Sequence, residues 1–200
     1  ALYSSMSEDE IIDKGTGRMK IHPMDMIAGQ INNGLKSLPA EIGNLTKLEQ
    51  LFIANSEIET LPDELANLTS CTDVEIYNCP KMVEFPMVLA KMPELITLNV
   101  GNNLQWSSEE MLKGLKALAT GPSREKVQIL YMNRNNLEII PKEIKNMKKL
   151  GMMDFSSNKI HTIEEAWGND IKPVQLHLSH NQLSSFPVDE KGVFCYMEDA

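Results

Sequence analysis

A chain of 200 residues allows one domain or a segment of a longer array, and 42% apolar residues suffices to bury a core. A formal charge of −9 argues against binding a phosphate backbone, which requires clustered Lys and Arg, and leaves cationic or neutral partners. No stretch approaches the roughly 18 apolar residues of a membrane span, and three cysteines make no disulfide framework.

Residues 1–30 lack the charged start and apolar run of a signal peptide, and the first residue is Ala1, so a processed or trimmed chain is expected. This stretch does not fit the pattern that follows and is expected to cap it, with Ser7-Glu8-Asp9-Glu10 opening a short helix. Gly15-Thr16-Gly17 lacks both the Lys-Ser/Thr and the strand context of a phosphate loop. A degenerate repeat is expected to end at Asn33, Leu35 and Leu38-Pro39.

From Leu48 onward one pattern recurs, with starts at Leu48, Cys71, Leu95, Val127, Leu150 and Pro173 and spacings of 23, 24, 32, 23 and 23 residues. Positions 1, 4, 6 and 11 are apolar, as in Leu48, Leu51, Ile53 and Ile58, or Val127, Leu130, Met132 and Leu137. Position 9 is Ser56, Cys79, Asn103, Asn135, Asn158 and Asn181 in turn. Alternation across the core predicts a short strand in each copy, and stacked copies predict a parallel sheet. An inward amide at the strand end can bond backbone groups that the turn leaves unpaired, so the asparagines are expected to form a ladder. Prolines such as Pro62 and Pro141 mark the return of the chain, and Ala40–Leu45 predicts a short helical turn feeding the next strand.

These residues resemble the leucine-rich repeat family, over residues 31–188, in six copies plus the degenerate one. Leu38–Leu45, Leu61–Leu68 and Ile140–Met147 resemble its 23-residue "typical" subclass, Leu-Pro-x-Glu-Ile-x-Asn-Leu. The resemblance implies an α/β solenoid. That fold is a right-handed horseshoe with a parallel sheet on the concave face and short helical or irregular segments on the convex one. The array is similar, in its simplicity and its lack of cysteine caps, to secreted and surface-attached bacterial proteins of this family.

Two features depart from the repeat. The apolar residue after position 9 is delayed by one, to Met82 and Trp106. An insertion over 107–121 predicts a helix at 108–119: Ser107 and Glu110 read as a capping box, Met111, Leu112, Leu115 and Leu118 follow at helical spacing, and Gly121-Pro122 stops it. Cys71 and Cys79 sit on core positions eight residues apart, too far to bridge along a strand rising about 3.3 Å per residue, and are expected as buried thiols. Val193-Phe194-Cys195-Tyr196 is expected to start a further strand, so residues 189–200 are expected to be the start of another repeat or a truncated end.

Positions 2, 3, 5, 7 and 8 are free of the core and are expected to face solvent on the concave side. Phe52, Glu75, Tyr77, Asn99, Tyr131, Arg134, Asp154 and His177 are the candidate ligand-binding residues, since aromatics beside charges match the composition of interaction hot spots. His177 lies one strand from Asp154, but converging ligands for a metal are lacking, so neither metal nor cofactor is expected. No catalytic constellation is legible. The leading expectation is a non-enzymatic module that binds a protein or peptide. Adhesion to glycans at a cell surface and the recognition arm of a longer enzyme or signalling scaffold are the alternatives. An extracellular or surface location follows from the bacterial resemblance, with the cytoplasm as the other reading.

Overall fold

The structure, a computed structural model, describes residues 5–6, 28–31 and 35–196. Strands follow the order β1 (Ser5–Met6), β2 (Ala28–Ile31), β3 (Gln50–Ala54), β4 (Asp73–Tyr77) and β5 (Thr97–Asn99). They continue with β6 (Ile129–Tyr131), β7 (Ile139–Ile140), β8 (Met152–Asp154), β9 (Thr162–Ile163) and β10 (Gln175–His177). Among the described residues, eight strands form one sheet in the order β1-β2-β3-β4-β5-β6-β8-β10, while β7 and β9 pair on their own. All these pairings are parallel, the arrangement that stacked repeats of one handedness require.

The register reproduces the spacing of the sequence motif. Gln50 faces Asp73, Asp73 faces Thr97, Thr97 faces Ile129, Ile129 faces Met152 and Met152 faces Gln175. The 32-residue step is therefore absorbed outside the sheet. Pairing also extends into the segment before the motif, because Ser5 faces Gln30 and Met6 faces Ile31. The helix expected at Ser7–Glu10 and the Gly15–Gly17 stretch lie outside the described residues, as does Asn33.

The core is one continuous stack. Leu48, Leu51, Ile53 and Ile58 are buried, as are their counterparts Val127, Leu130, Met132 and Leu137. Burying one leucine or isoleucine contributes about 1.5–3 kcal/mol, so repetition of the set holds the solenoid. Met82 and Trp106, the delayed apolar residues, are also fully buried. In the last copy Leu176, Leu178 and Leu183 are only partly covered, having neighbours on one side. Cys71 and Cys79 are buried free thiols, and desolvation pushes Cys71 up to about 12.

Proline opens four of the returns. Pro39, Pro62, Pro86 and Pro141 precede 3-10 turns at Ala40–Asn44, Asp63–Asn67, Met87–Lys91 and Lys142–Asn146. A residue without an N–H loses nothing at the start of a turn, where that donor has no partner. Charge pairs then link one return to another: Lys145 reaches Glu165 at 2.9 Å, Lys126 reaches Glu94 at 2.5 Å, and Lys148 pairs with Asp170.

The insertion forms α1 (Ser108–Thr120), packed on the returns at Met87–Lys91 and Lys142–Asn146. Met111, Gly114, Leu115 and Leu118 are buried on its inner face, while Leu112 is half-buried. Ser107 Oγ accepts from Glu110 N at 3.2 Å, as expected of the cap. The other arm of the expected box is diverted: Glu110 Oε2 accepts from Phe85 N at 2.9 Å, and Oε1 accepts from Lys113 Nζ at 3.0 Å. The Phe85 amide bond holds the Glu110 carboxyl below its ordinary range. Gly114 is needed here, because a Cβ would stand 2.5 Å from the Phe85 ring. Phe85 in turn packs on Trp106 with ring centroids 5.0 Å apart.

The C-terminal stretch differs from the strand expected at Val193–Tyr196. Cys195 bridges in parallel to Gly168, and Trp167 N donates to Phe194 O at 2.7 Å. Phe194 stacks between Trp167 and Phe186 at 4.8 and 5.0 Å. The segment lies beside the previous return rather than beside β10, because Trp167 is itself one 23-residue period after Ile144 of an earlier return.

Candidate functional site

Six of the eight candidate residues fall into one uninterrupted row. Phe52 faces Glu75, Glu75 faces Asn99, Asn99 faces Tyr131, Tyr131 faces Asp154 and Asp154 faces His177. The row arises because position 5 of each copy sits between two core residues, so its side chain points to the other face of the sheet. All six are half-buried or exposed. Tyr77 stands one step further along β4, opposite the small Ala54.

Arg134 is set apart from this row. It lies beyond the end of β6 with φ of +55°. The same left-handed backbone recurs at Asn55, Asn78, Asn102, Ser157 and His180, with φ between +51° and +60°. Position 8 is thus a turn position that re-aims its side chain to the rim, and not a site on the strand face. Asparagine adopts this conformation several-fold more readily than most residues, so Asn55, Asn78 and Asn102 were a legible signal of the turn.

Two members of the row also serve the strand end. Asn99 Oδ1 accepts from Gly101 N at 3.1 Å, and Asp154 Oδ1 accepts from Ser156 N at 2.9 Å and from Ser156 Oγ at 2.5 Å. These are side-chain turns onto the N–H two residues ahead. The Asp154 carboxylate is therefore bonded to Ser156, while His177 stands opposite it in register, as expected. Gly101 allows Asn133 to lie across it, since a Cβ there would meet Asn133 Oδ1 at 2.6 Å.

Tyr131 and Glu75 are engaged less at the strand end. Tyr131 Oη donates weakly to Met152 Sδ at 3.5 Å, so its ring lies toward the adjacent strand. Burial pushes the Glu75 carboxyl up, and among the described residues no hydrogen bond or ion pair reaches it. Gln50, behind Phe52, has a buried Oε1 without a partner among the described residues. Ile129 and Met152, expected on the concave face at position 3 but not among the candidates, face each other half-buried on the same side of the sheet. Their signal was present in the period of two, since position 3 shares a face with position 5.

Beneath the face runs the expected ladder. Asn158 Nδ2 donates to Met132 O and Phe155 O at 2.9 Å, and its Oδ1 accepts from Asn135 N at 3.2 Å and Leu137 N at 3.0 Å. Asn135 and Asn181 repeat the scheme with one backbone N–H each, from Asn103 and Ile160, while Asn103 donates to Ile76 O and Val100 O and its Oδ1 accepts from Gln105 Nε2. The chain is a leucine-rich repeat solenoid. A family profile described as Leucine Rich Repeat matches residues 126–147.

Solved structures of this fold agree. A leucine-rich repeat protein from Bacteroides eggerthii superposes with a TM-score of 0.71 at 29% identity, over 91% of this chain and 32% of that one. One from Bacteroides thetaiotaomicron gives 0.71 at 30% identity, over 93% of this chain and 24% of the other. The solenoid thus spans a quarter to a third of the length of these two. The leucine-rich repeat domain of the type III effector XopL gives 0.53 at 16% identity, a likeness of fold alone. Leucine-rich repeat domains generally mediate protein interactions. Among the described residues no helix is long and apolar enough to cross a membrane, and no group of three or more His, Cys, Asp or Glu is placed to hold a metal.

Proposed function

We propose that this solenoid is a non-enzymatic binding module that takes a protein or peptide across its concave sheet. The single observation that carries this reading is the row from Phe52 to His177. It is six strands wide, free of core duty at most positions, and bears Phe52 and Tyr131 with Tyr77 beside it. Large, stiff aromatics held by a rigid sheet lose little entropy on binding, which is why they dominate interface energetics.

The test is affinity capture from native extract and from culture medium, with wild type and a Phe52→Ala/Tyr131→Ala variant as parallel baits. Each truncation is expected to weaken the partner by about 1–2 kcal/mol or more, with far-UV circular dichroism unchanged. A partner held equally by both baits would move the site to α1 or to the rims.

A further inference from the structure

The charges on the concave face are divided unevenly. At the solvent-facing positions of β3 to β5 stand Glu49, Asp73 and Glu75, with Phe52 and Tyr77 around them and no Lys, Arg or His. No lysine occupies position 2, 3, 5, 7 or 8 in any of the six copies, and Arg134 sits at the rim. Glu75 stands in register between Phe52 and Asn99, neither of which is a cation, and no ion pair reaches it among the described residues. In the row of Asp73 the next strands are apolar: Ile129 faces Met152, and the Tyr131 hydroxyl reaches Met152 Sδ at 3.5 Å, while Asp154, in the row of Glu75, is bonded to Ser156.

We propose that this face, if it is the binding face argued above, selects an extended peptide that pairs a lysine or arginine with apolar side chains. The cation sits at Asp73 and Glu75, and the apolar side chains lie over Ile129, Met152 and the Tyr131 ring. The complementarity of charge identifies the occupant: carboxylates without cations attract a basic segment and repel an acidic one. An apolar sheet surface beside them supplies the contact that outlasts screening by salt. Spacing follows from the sheet. From β4 to β6 is two strand steps and from β4 to β8 is three, about 10 and 14 Å at roughly 4.8 Å each. An extended peptide crossing the strands advances about 3.3 Å per residue, so the cation and the apolar pair stand about three to four residues apart.

The probe is a set of fluorescent decapeptides read by anisotropy against the full chain. One carries two lysines and a Leu-x-Phe pair at that spacing, in both chain directions. The others replace lysine by glutamine or glutamate, replace the apolar pair by serine, or move the groups two residues closer. The parent is expected to bind more tightly than the glutamine peptide by about tenfold, and the glutamate peptide not at all. Asp73→Asn/Glu75→Gln is expected to erase the difference between the lysine and glutamine peptides. Ile129→Ser/Met152→Ser is expected to weaken both alike. Each variant must retain the wild-type circular dichroism spectrum and a cooperative melt, with Glu75→Gln alone as the milder substitute.

Equal binding of lysine, glutamine and glutamate peptides would overturn the assignment and leave the apolar side chains alone as the determinant. So would insensitivity to Asp73→Asn/Glu75→Gln, or failure of every peptide to bind. If the peptides fail while Phe52→Ala/Tyr131→Ala still loses its captured partner, the binding face stands and only the cationic selection falls. If that variant also keeps its partner, both fall together.

Discussion

The repeats begun at Leu48 and Cys71 carry Ser56 and Cys79 where the four later ones carry an inward asparagine, yet all six turn at the same place. In the early pair the inner contacts are thin: Ser56 Oγ lies 3.3 Å from Cys79 Sγ, and Ile58 N reaches Ser56 Oγ at 3.5 Å. There the left-handed residues are Asn55 and Asn78, which take that backbone at little cost and bond each other at 2.5 Å. In the late repeats the left-handed residues are Arg134, Ser157 and His180, none of them asparagine, while Asn135, Asn158 and Asn181 fill the turn with amide bonds. The repeat begun at Leu95 has both devices, Asn102 and Asn103. One turn is thus held either by backbone preference or by a buried side chain, and two weak residues never coincide.

The largest expected effect breaks the late half. Asn158→Ala leaves the amides of Asn135 and Leu137 without partners and takes one of two donors from the carbonyls of Met132 and Phe155, and is expected to cost about 3 kcal/mol or more in urea melts. Ser56→Ala, at the equivalent place in the early half, is expected to cost about 1 kcal/mol or less. Equal losses would show that the ladder does not hold the late half. Exchanging the outer residues sharpens the same point in the opposite sense. Arg134→Asn is expected to stabilise by about 0.5–1 kcal/mol, and Asn78→Arg to destabilise by a similar amount. Neither changing the midpoint would leave the left-handed turn without energetic consequence.

The smallest effect concerns the acidic half. Burial raises the Glu75 carboxyl in the folded protein, so its charged form is disfavoured by folding. That penalty is present above the raised folded value and disappears as pH falls and the carboxyl is protonated in both states. Glu75→Gln is therefore expected to raise the melting midpoint at neutral pH, by about a few tenths of a kcal/mol after solvent screening, and to match wild type in acid. A gain that persists at low pH would assign the effect to packing. A bound lysine peptide should remove the neutral-pH gain, since it supplies the cation that the site lacks.

Much of the fold was open to reading in advance, because a repeat states each rule several times. The register followed from spacing, the core from positions 1, 4, 6 and 11, and the ladder from four asparagines at position 9. The concave row was legible to the same extent, since the period of two puts Phe52, Glu75, Asn99, Tyr131, Asp154 and His177 on one side. Less legible was what a single copy does alone. Arg134 reads as a face residue until its φ is known, and Asp154 reads as a partner for His177 until Ser156 claims it.

The sequence by itself determined the stack, because apolar periodicity and inward asparagines are local demands that every copy satisfies alike. Only the tertiary structure decided how unlike neighbours share a contact. Glu110 leaves its own cap for the Phe85 amide, Gly114 lets that ring approach α1, and Phe194 settles against Trp167 of the preceding return. Each of these pairs residues about one period apart whose meeting depends on side-chain shape and free hydrogen-bond groups. No periodicity encodes those, since they occur once in the chain.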